Sequence, residues 1–231
     1  IIKKYKFPLI KISSGLLTND PLILKASKLN LPTIISCGLA FKNEIKRALK
    51  LAKSNRSKDI ILLKCTSLYP APDDTLNLDT IDALKKEFNC IVGYSDHTKN
   101  NFACLVAVAM GAKVIEKHFT LDKTQKGLDH SISADPRELN KLINDIRKIE
   151  QMIGKTNINK KVILKNKLKT ITRSIFYSQD IKKGERIKQN NIRSIRPGTG
   201  LHLYNYKKIL GKKVKIDRKA GQPVKLKDIF S

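Results

Sequence analysis

Five times between residues 8 and 153, a short run of apolar, often β-branched residues ends in small or polar side chains, and the first four are followed by stretches with helical character. The runs are Pro8–Ser13, Pro32–Ser36, Asp59–Cys65, Cys90–Tyr94 and Lys113–Phe119. Nearly continuous apolar runs of this length suit parallel strands covered on both faces. Helices are expected near residues 20–29, 42–54, 78–88 and 100–111. The spacing of about 25–30 residues is that of a strand–helix unit. After the fifth run, Asp135, Pro136 and Glu138 supply an N-cap, a proline at the first helical position and a capping-box partner. Leu139, Leu142, Ile143, Ile146, Ile149 and Ile153 follow at helical spacing, and Gly154 ends the helix.

Five such units fit an open doubly wound sheet or part of a (β/α)8 barrel. No GxGxxG sequence follows any run. Polar residues stand at all five C-terminal ends instead: Ser14, Ser36, Thr66 with Ser67, Ser95 with His97, and His118. An open sheet gathers its site at one switch point, whereas a barrel draws on many strand ends. The expected fold is therefore α/β, a TIM barrel lacking its first three strands.

Residues 155–172 are rich in lysine and asparagine and read as a linker. From residue 173 to 231, glycines punctuate short apolar stretches, and the segment Ile181–Lys188 is echoed by Arg218–Lys225. Both read as turns between short strands of a small β-rich domain. The expected organisation is a barrel domain over 1–154, the linker, and a second domain over 173–231.

The net charge of +27 invites a nucleic-acid reading. Against it, the 47 basic residues are mostly lysine, are spread along the whole chain, and accompany no nucleic-acid motif. Specific nucleic-acid binding is not expected, although a positive field attracts anionic substrates. No apolar run is long enough to span a membrane. The four cysteines form no CxxC pair and read as free thiols of a cytoplasmic protein. The start, Ile1 to Lys6, has neither a signal-peptide layout nor an initiator methionine, and suggests part of a longer chain.

His97 and His118 close consecutive strands, so their rings should be neighbours at the barrel mouth. Two neutral imidazoles can share a divalent ion and leave positions for water and substrate; equally, each could satisfy a polar rim. Glu116 and Lys117 place two charges inside an apolar strand, which argues for a polar site nearby. Lys11, inside another apolar strand, either binds a carboxylate or phosphate or turns outward along its own stem. Asp129 lies on the loop after the fifth strand, where it could bind sugar hydroxyls or cap a turn.

These segments, in order and spacing, resemble the sialic acid synthases, the N-acetylneuraminate synthase family. The resemblance is carried by Lys11 to Gly15, Ile35 to Gly38, Lys64 to Pro70, Gly93 to Thr98, and Glu116 to Phe119, with His97 and His118 standing 21 residues apart. Arg196-Pro197-Gly198-Thr199-Gly200 resembles the antifreeze-like (SAF) domain that ends such enzymes. The resemblance implies condensation of phosphoenolpyruvate with an N-acylated amino sugar such as N-acetylmannosamine, giving a nonulosonic acid and phosphate. It implies Mn2+ or Mg2+ on His97 and His118. Lys11, Ser14, Ser36, Ser67 and Ser95 would hold phosphoenolpyruvate or the metal-site network, and Tyr69 and Asp129 would surround the sugar. Arg196 would reach the N-acyl group in the partner's site of a domain-swapped homodimer. His130 leans toward neuraminate or legionaminate rather than pseudaminate.

Leu16 stands where that family usually carries Glu or Asp. The first three strands, with another lysine and a metal-linked glutamate, are missing, and two open sheet edges imply that the fragment alone is inactive. The alternatives are another phosphoenolpyruvate–aldose synthase, of the pseudaminate, DAHP or octulosonate type, and a non-catalytic carbohydrate-binding relic.

Overall fold

The computed structural model describes residues 7–54, 59–154 and 169–230. The chain divides into two compact units, Ile1–Lys155 and Thr156–Ser231. The expected linker falls almost entirely within 155–168, outside the described residues.

In the first unit, β1 (Ile10–Ile12), β2 (Thr33–Ser36), β3 (Ile60–Cys65), β4 (Ile91–Asp96) and β5 (Ile115–Lys117) form one sheet in sequence order. Every neighbouring pair is parallel. Helices α1 (Asp20–Ser27), α2 (Lys42–Lys53), α3 (Thr80–Phe88), α4 (Phe102–Ala109) and α5 (Pro136–Ile153) follow the strands in turn. Ile12, Ile35, Leu62, Val92 and Tyr94 of the sheet share one buried apolar cluster with Ile23, Ile45, Leu49, Ile81, Leu84, Ala107 and Leu142 of the helices. That face of the sheet is its outside.

Strand alternation then puts Lys11, Ser36, Ser95 and Glu116 on the opposite face. Lys11 Nζ lies 3.3 Å from Glu116 Oε2, joining the first and last strands of the sheet. In a flat sheet those strands would stand about 19 Å apart, beyond the joint reach of the two side chains. The sheet is therefore strongly curled, with Lys11 and Glu116 spanning its concave side.

The edge strands are shorter than their sequence runs suggest. The run Lys113–Phe119 yields only Ile115–Lys117, and Pro8–Ser13 only Ile10–Ile12. Each edge strand has a ladder on one side only, so pairing stops where its single neighbour turns away. Phe119 instead makes an isolated parallel bridge with Ala134. Helix α5 begins as its sequence predicts: Asp135 Oδ1 accepts from the Glu138 amide at 2.8 Å, and Glu138 Oε2 accepts from the Asp135 amide at 3.1 Å. Its apolar stripe is only partly covered, however. Leu142 is buried, while Ile143 and Ile153 are exposed.

In the second unit, β6 (Ser174–Tyr177) pairs antiparallel with β7 (Ile192–Ile195). Isolated bridges join Ile181 to Arg218, Arg186 to Lys213 and Val214 to Ile229. The two echoed segments are turns, with Gly184 at φ 87° and Gly221 at φ 80°, a region that favours glycine. The core is Ile175, Tyr177, Ile181, Ile187, Ile192, Ile209, Val214, Val224 and Ile229. This is a β-rich fold with little regular sheet. Arg196 stands just beyond β7, exposed to solvent.

All four thiols are free; Cys37, Cys65 and Cys104 are buried and Cys90 is half-buried. Burial pushes the Cys37 thiol up to about 12. Among the described residues, no helix is long and apolar enough to cross a membrane.

Candidate active site on the concave face

The C-terminal ends of the strands carry the polar residues, and the loops leaving them set the geometry. After β2, the chain turns sharply at Cys37-Gly38. A Cβ on Gly38 would stand 2.4 Å from Cys65 Sγ and 2.9 Å from the Cys65 carbonyl oxygen, so only glycine fits. The same position brings this turn close to Ser67, whose hydroxyl lies 3.0 Å from the place of that Cβ. Ser14 Oγ accepts from the Leu39 amide at 2.8 Å, tying the loop after β1 to the loop after β2. Ser14 therefore braces two loops. Ser36 differs: it is buried, and its hydroxyl has no hydrogen-bond partner among the described residues. An orphaned hydroxyl on a concave face invites a ligand oxygen or a water.

His97 and His118 follow directly on the last residues of β4 and β5, and their ring centroids are 5.4 Å apart. Tyr69, from the loop after β3, lies over His97 at 4.1 Å with a 31° tilt, and meets His118 edge-on at 5.7 Å. His97 Nδ1 lies 2.6 Å from the Thr66 carbonyl oxygen. A carbonyl only accepts, so Nδ1 carries the proton and the Nε2 lone pair is free. Burial holds the His97 imidazole below its usual value, with the neighbouring His118 acting in the same direction and the Thr66 carbonyl opposing it. His118 Nδ1 faces Asp129 Oδ2 at 3.6 Å. His97 is thus steered through Nδ1, the arrangement by which outer partners orient metal-binding imidazoles, while His118 has a carboxylate near its Nδ1 but beyond hydrogen-bond range. Partial burial, then the neighbouring Cys65, Asp129 and Glu116, raise the Tyr69 phenol above its ordinary range.

Below the rings, Glu116 receives the Ser95 hydroxyl at 2.7 Å through Oε1 and the Lys11 ammonium at 3.3 Å through Oε2. The sequence marked Glu116 and Lys117 as anomalous charges without giving either a task. Strand register separates them. Ser95 pairs with Glu116 on the concave face, and Asp96 pairs with Lys117 on the helix-covered face. Thr66, whose carbonyl sets the His97 tautomer, carries no sequence signal for that role because the contact is made by backbone.

Apart from Ser14, Ser36 and Ser67, the expected site residues fall into two groups and one outlier, Arg196. His97, His118, Tyr69 and Asp129 converge at the mouth. Lys11 and Ser95 meet through Glu116. Arg196 belongs to the second unit, and His130 turns its Nδ1 to the Thr120 hydroxyl at 2.7 Å. Among the described residues, no three His, Cys, Asp or Glu side chains converge on one point as a complete metal cage. The donor chemistry nevertheless fits a divalent ion held by two imidazoles, with its other ligands supplied by water, substrate or residues beyond those described.

The family model described as NeuB family matches residues 1–158, and the SAF domain model matches residues 172–229. The chain belongs to the NeuB family. Among curated relatives of this NeuB-family chain, the N,N'-diacetyllegionaminic acid synthase of Campylobacter jejuni is 40% identical over 214 residues, covering 92% of this chain and 64% of the relative. The pseudaminic acid synthase of the same species is 38% identical over 229 residues, covering 98% of this chain and 66% of the relative. The chain therefore spans about two thirds of the length of these relatives. Among solved structures, a putative spore coat polysaccharide biosynthesis protein E from Chromobacterium violaceum superposes with a TM-score of 0.77 at 25% identity, covering 100% of this chain and 70% of that one.

Proposed function

We propose that this NeuB-family chain carries the greater part of a phosphoenolpyruvate-dependent nonulosonic acid synthase. The observation that carries the reading is the concave-face arrangement: two neighbouring imidazoles, His97 fixed through Nδ1 and His118 facing Asp129, with Tyr69 over His97 and a lysine–glutamate–serine network below. The synthase relatives support it.

In this reading, Lys11 and the unpaired Ser36 hydroxyl bind the anionic groups of phosphoenolpyruvate, and Glu116 keeps Lys11 directed across the concave face. Tyr69 and Asp129 hold the open-chain N-acyl amino sugar against the mouth. His97 and His118 hold a divalent ion, Mn2+ or Mg2+, which when bound supplies Lewis-acid polarisation of the sugar aldehyde. Carbon three of phosphoenolpyruvate forms a bond to the aldehyde carbon, whose oxygen becomes a hydroxyl. Water adds at carbon two, the bond from that carbon to the phosphate oxygen breaks, and phosphate departs. The net change joins phosphoenolpyruvate, aldehyde and water into a 2-keto-3-deoxy sugar acid and phosphate. Arg196 serves the N-acyl group in the site of a second copy of the chain. The sugar is an N-acetylated hexosamine or its 2,4-diacetamido analogue, the second in keeping with the N,N'-diacetyllegionaminic acid synthase among the relatives.

The full chain, meaning this chain completed with the barrel strands it lacks, given phosphoenolpyruvate, Mn2+ and each candidate sugar in turn, is expected to release phosphate and form a keto acid with one of them, read by colorimetric phosphate assay and mass spectrometry. A carbohydrate-binding relic, the reading that the exposed Leu16 motivates, would bind a sugar and release none.

A further inference from the structure

Behind the candidate site, on the helix-covered face, lies a buried ion pair. Lys117 Nζ is 2.6 Å from Asp96 Oδ2, and the two side chains are 4% and 0% exposed. The ammonium also donates to the carbonyls of Thr98 at 3.0 Å and Asn100 at 2.9 Å, so all three of its donors are used. Asp96 is equally engaged. Its Oδ1 accepts from the Thr98 amide at 2.9 Å, and its Oδ2 accepts from the Thr98 hydroxyl and the Cys104 thiol, each at 3.2 Å.

The place of this pair in the sheet is informative. Asp96 and Lys117 are the last residues of β4 and β5, and they are register partners. The next residue on each strand is His97 and His118. No ladder links the two strands at the level of the histidines, so their separation is inherited from the rung beneath. The pair also brackets His97. Asp96 precedes it, and Thr98 and Asn100, both held by Lys117, follow it. A buried ion pair generally contributes no more stability than apolar residues of the same volume. What it supplies that apolar side chains cannot is direction: one ammonium aimed at three fixed acceptors.

We propose that Asp96 and Lys117 are positioning residues, a clasp that sets the distance and orientation of His97 and His118 for joint binding of a divalent cation. The clasp touches neither substrate nor ion. The inference rests on the reading of those two histidines as a cation site.

The test replaces both charges together, Asp96→Asn with Lys117→Met, so that no lone charge is left buried. Two readouts are taken on the full chain: Mn2+ affinity by electron paramagnetic resonance, and the tautomers of His97 and His118 by long-range proton–nitrogen NMR. The clasp predicts that the double variant folds but binds Mn2+ roughly 10- to 100-fold more weakly, the usual cost of losing an outer partner of a metal ligand. It also predicts that His97 no longer shows a single Nδ1-protonated form. Parental Mn2+ affinity together with unchanged imidazole signals would overturn it. If the parent shows no Mn2+ binding that His97→Ala removes, the cation reading fails. The NMR readout then decides the clasp by itself: altered imidazole signals support it and unchanged ones overturn it. Should the double variant not fold, Lys117→Arg carries the same readouts. It keeps a charge beside Asp96 but cannot repeat the three-acceptor pattern of a compact ammonium.

Discussion

Replacing Lys117 alone with methionine is expected to lower the stability of the first unit by about 3–5 kcal/mol. The change leaves the Asp96 carboxylate uncompensated in a place that water does not reach, and removing one partner of a buried pair costs about that much. Three acceptors lose the ammonium at once: Asp96 Oδ2, left with the neutral Thr98 hydroxyl and Cys104 thiol, and the carbonyls of Thr98 and Asn100. For a unit of this size, a melting temperature lower by roughly 6–20 °C follows. Adding Asp96→Asn should restore most of the loss, because the lone charge is then gone. Thermal denaturation followed by circular dichroism decides the matter. A single variant melting within about 2 °C of the parent, on the same scale, would mean that Asp96 finds another partner or water.

The second large effect concerns the histidines. His97→Ala or His118→Ala is expected to reduce phosphate release in the full chain by roughly 1,000-fold, with the fold retained. Lewis-acid stabilisation is worth several kcal/mol, and each 1.4 kcal/mol is about tenfold in rate. The two lesions should be strongly non-additive, since either removes the shared ion; the double variant should be little worse than each single one. Fully additive losses, measured as kcat/KM for phosphoenolpyruvate, would show that the two rings act independently and would sink the shared-ion reading.

Much of this was legible in the sequence, for physical reasons that differ from residue to residue. The parallel order of β1 to β5 follows from runs such as Ile60–Cys65, whose residues must be covered on both faces. The start of α5 follows from Asp135 and Glu138, whose reciprocal bonds are local. The neighbouring of His97 and His118 follows from their positions at the ends of consecutive strands. The lengths of the edge strands were not legible, because pairing depends on a neighbour that the run itself does not encode. Nor were the separate tasks of Glu116 and Lys117, since two adjacent charges can be sorted onto opposite faces only when the register with Ser95 and Asp96 is known. Nor was the bond from the Leu39 amide to Ser14 Oγ, which joins loops 25 residues apart. The partner of His97 Nδ1 is a backbone oxygen 31 residues away, which no side-chain pattern can announce.

If this concave face joins phosphoenolpyruvate to an N-acyl amino sugar with water attacking carbon two, the bridging oxygen leaves with phosphorus. The most direct measurement uses phosphoenolpyruvate labelled with oxygen-18 in the bridge between carbon two and phosphorus. After turnover by the full chain with its sugar, mass spectrometry of both products locates the label. The account predicts oxygen-18 in the released phosphate, because the carbon–oxygen bond breaks. Label retained at the keto carbon of the sugar acid would mean that the phosphorus–oxygen bond breaks instead, and would contradict it.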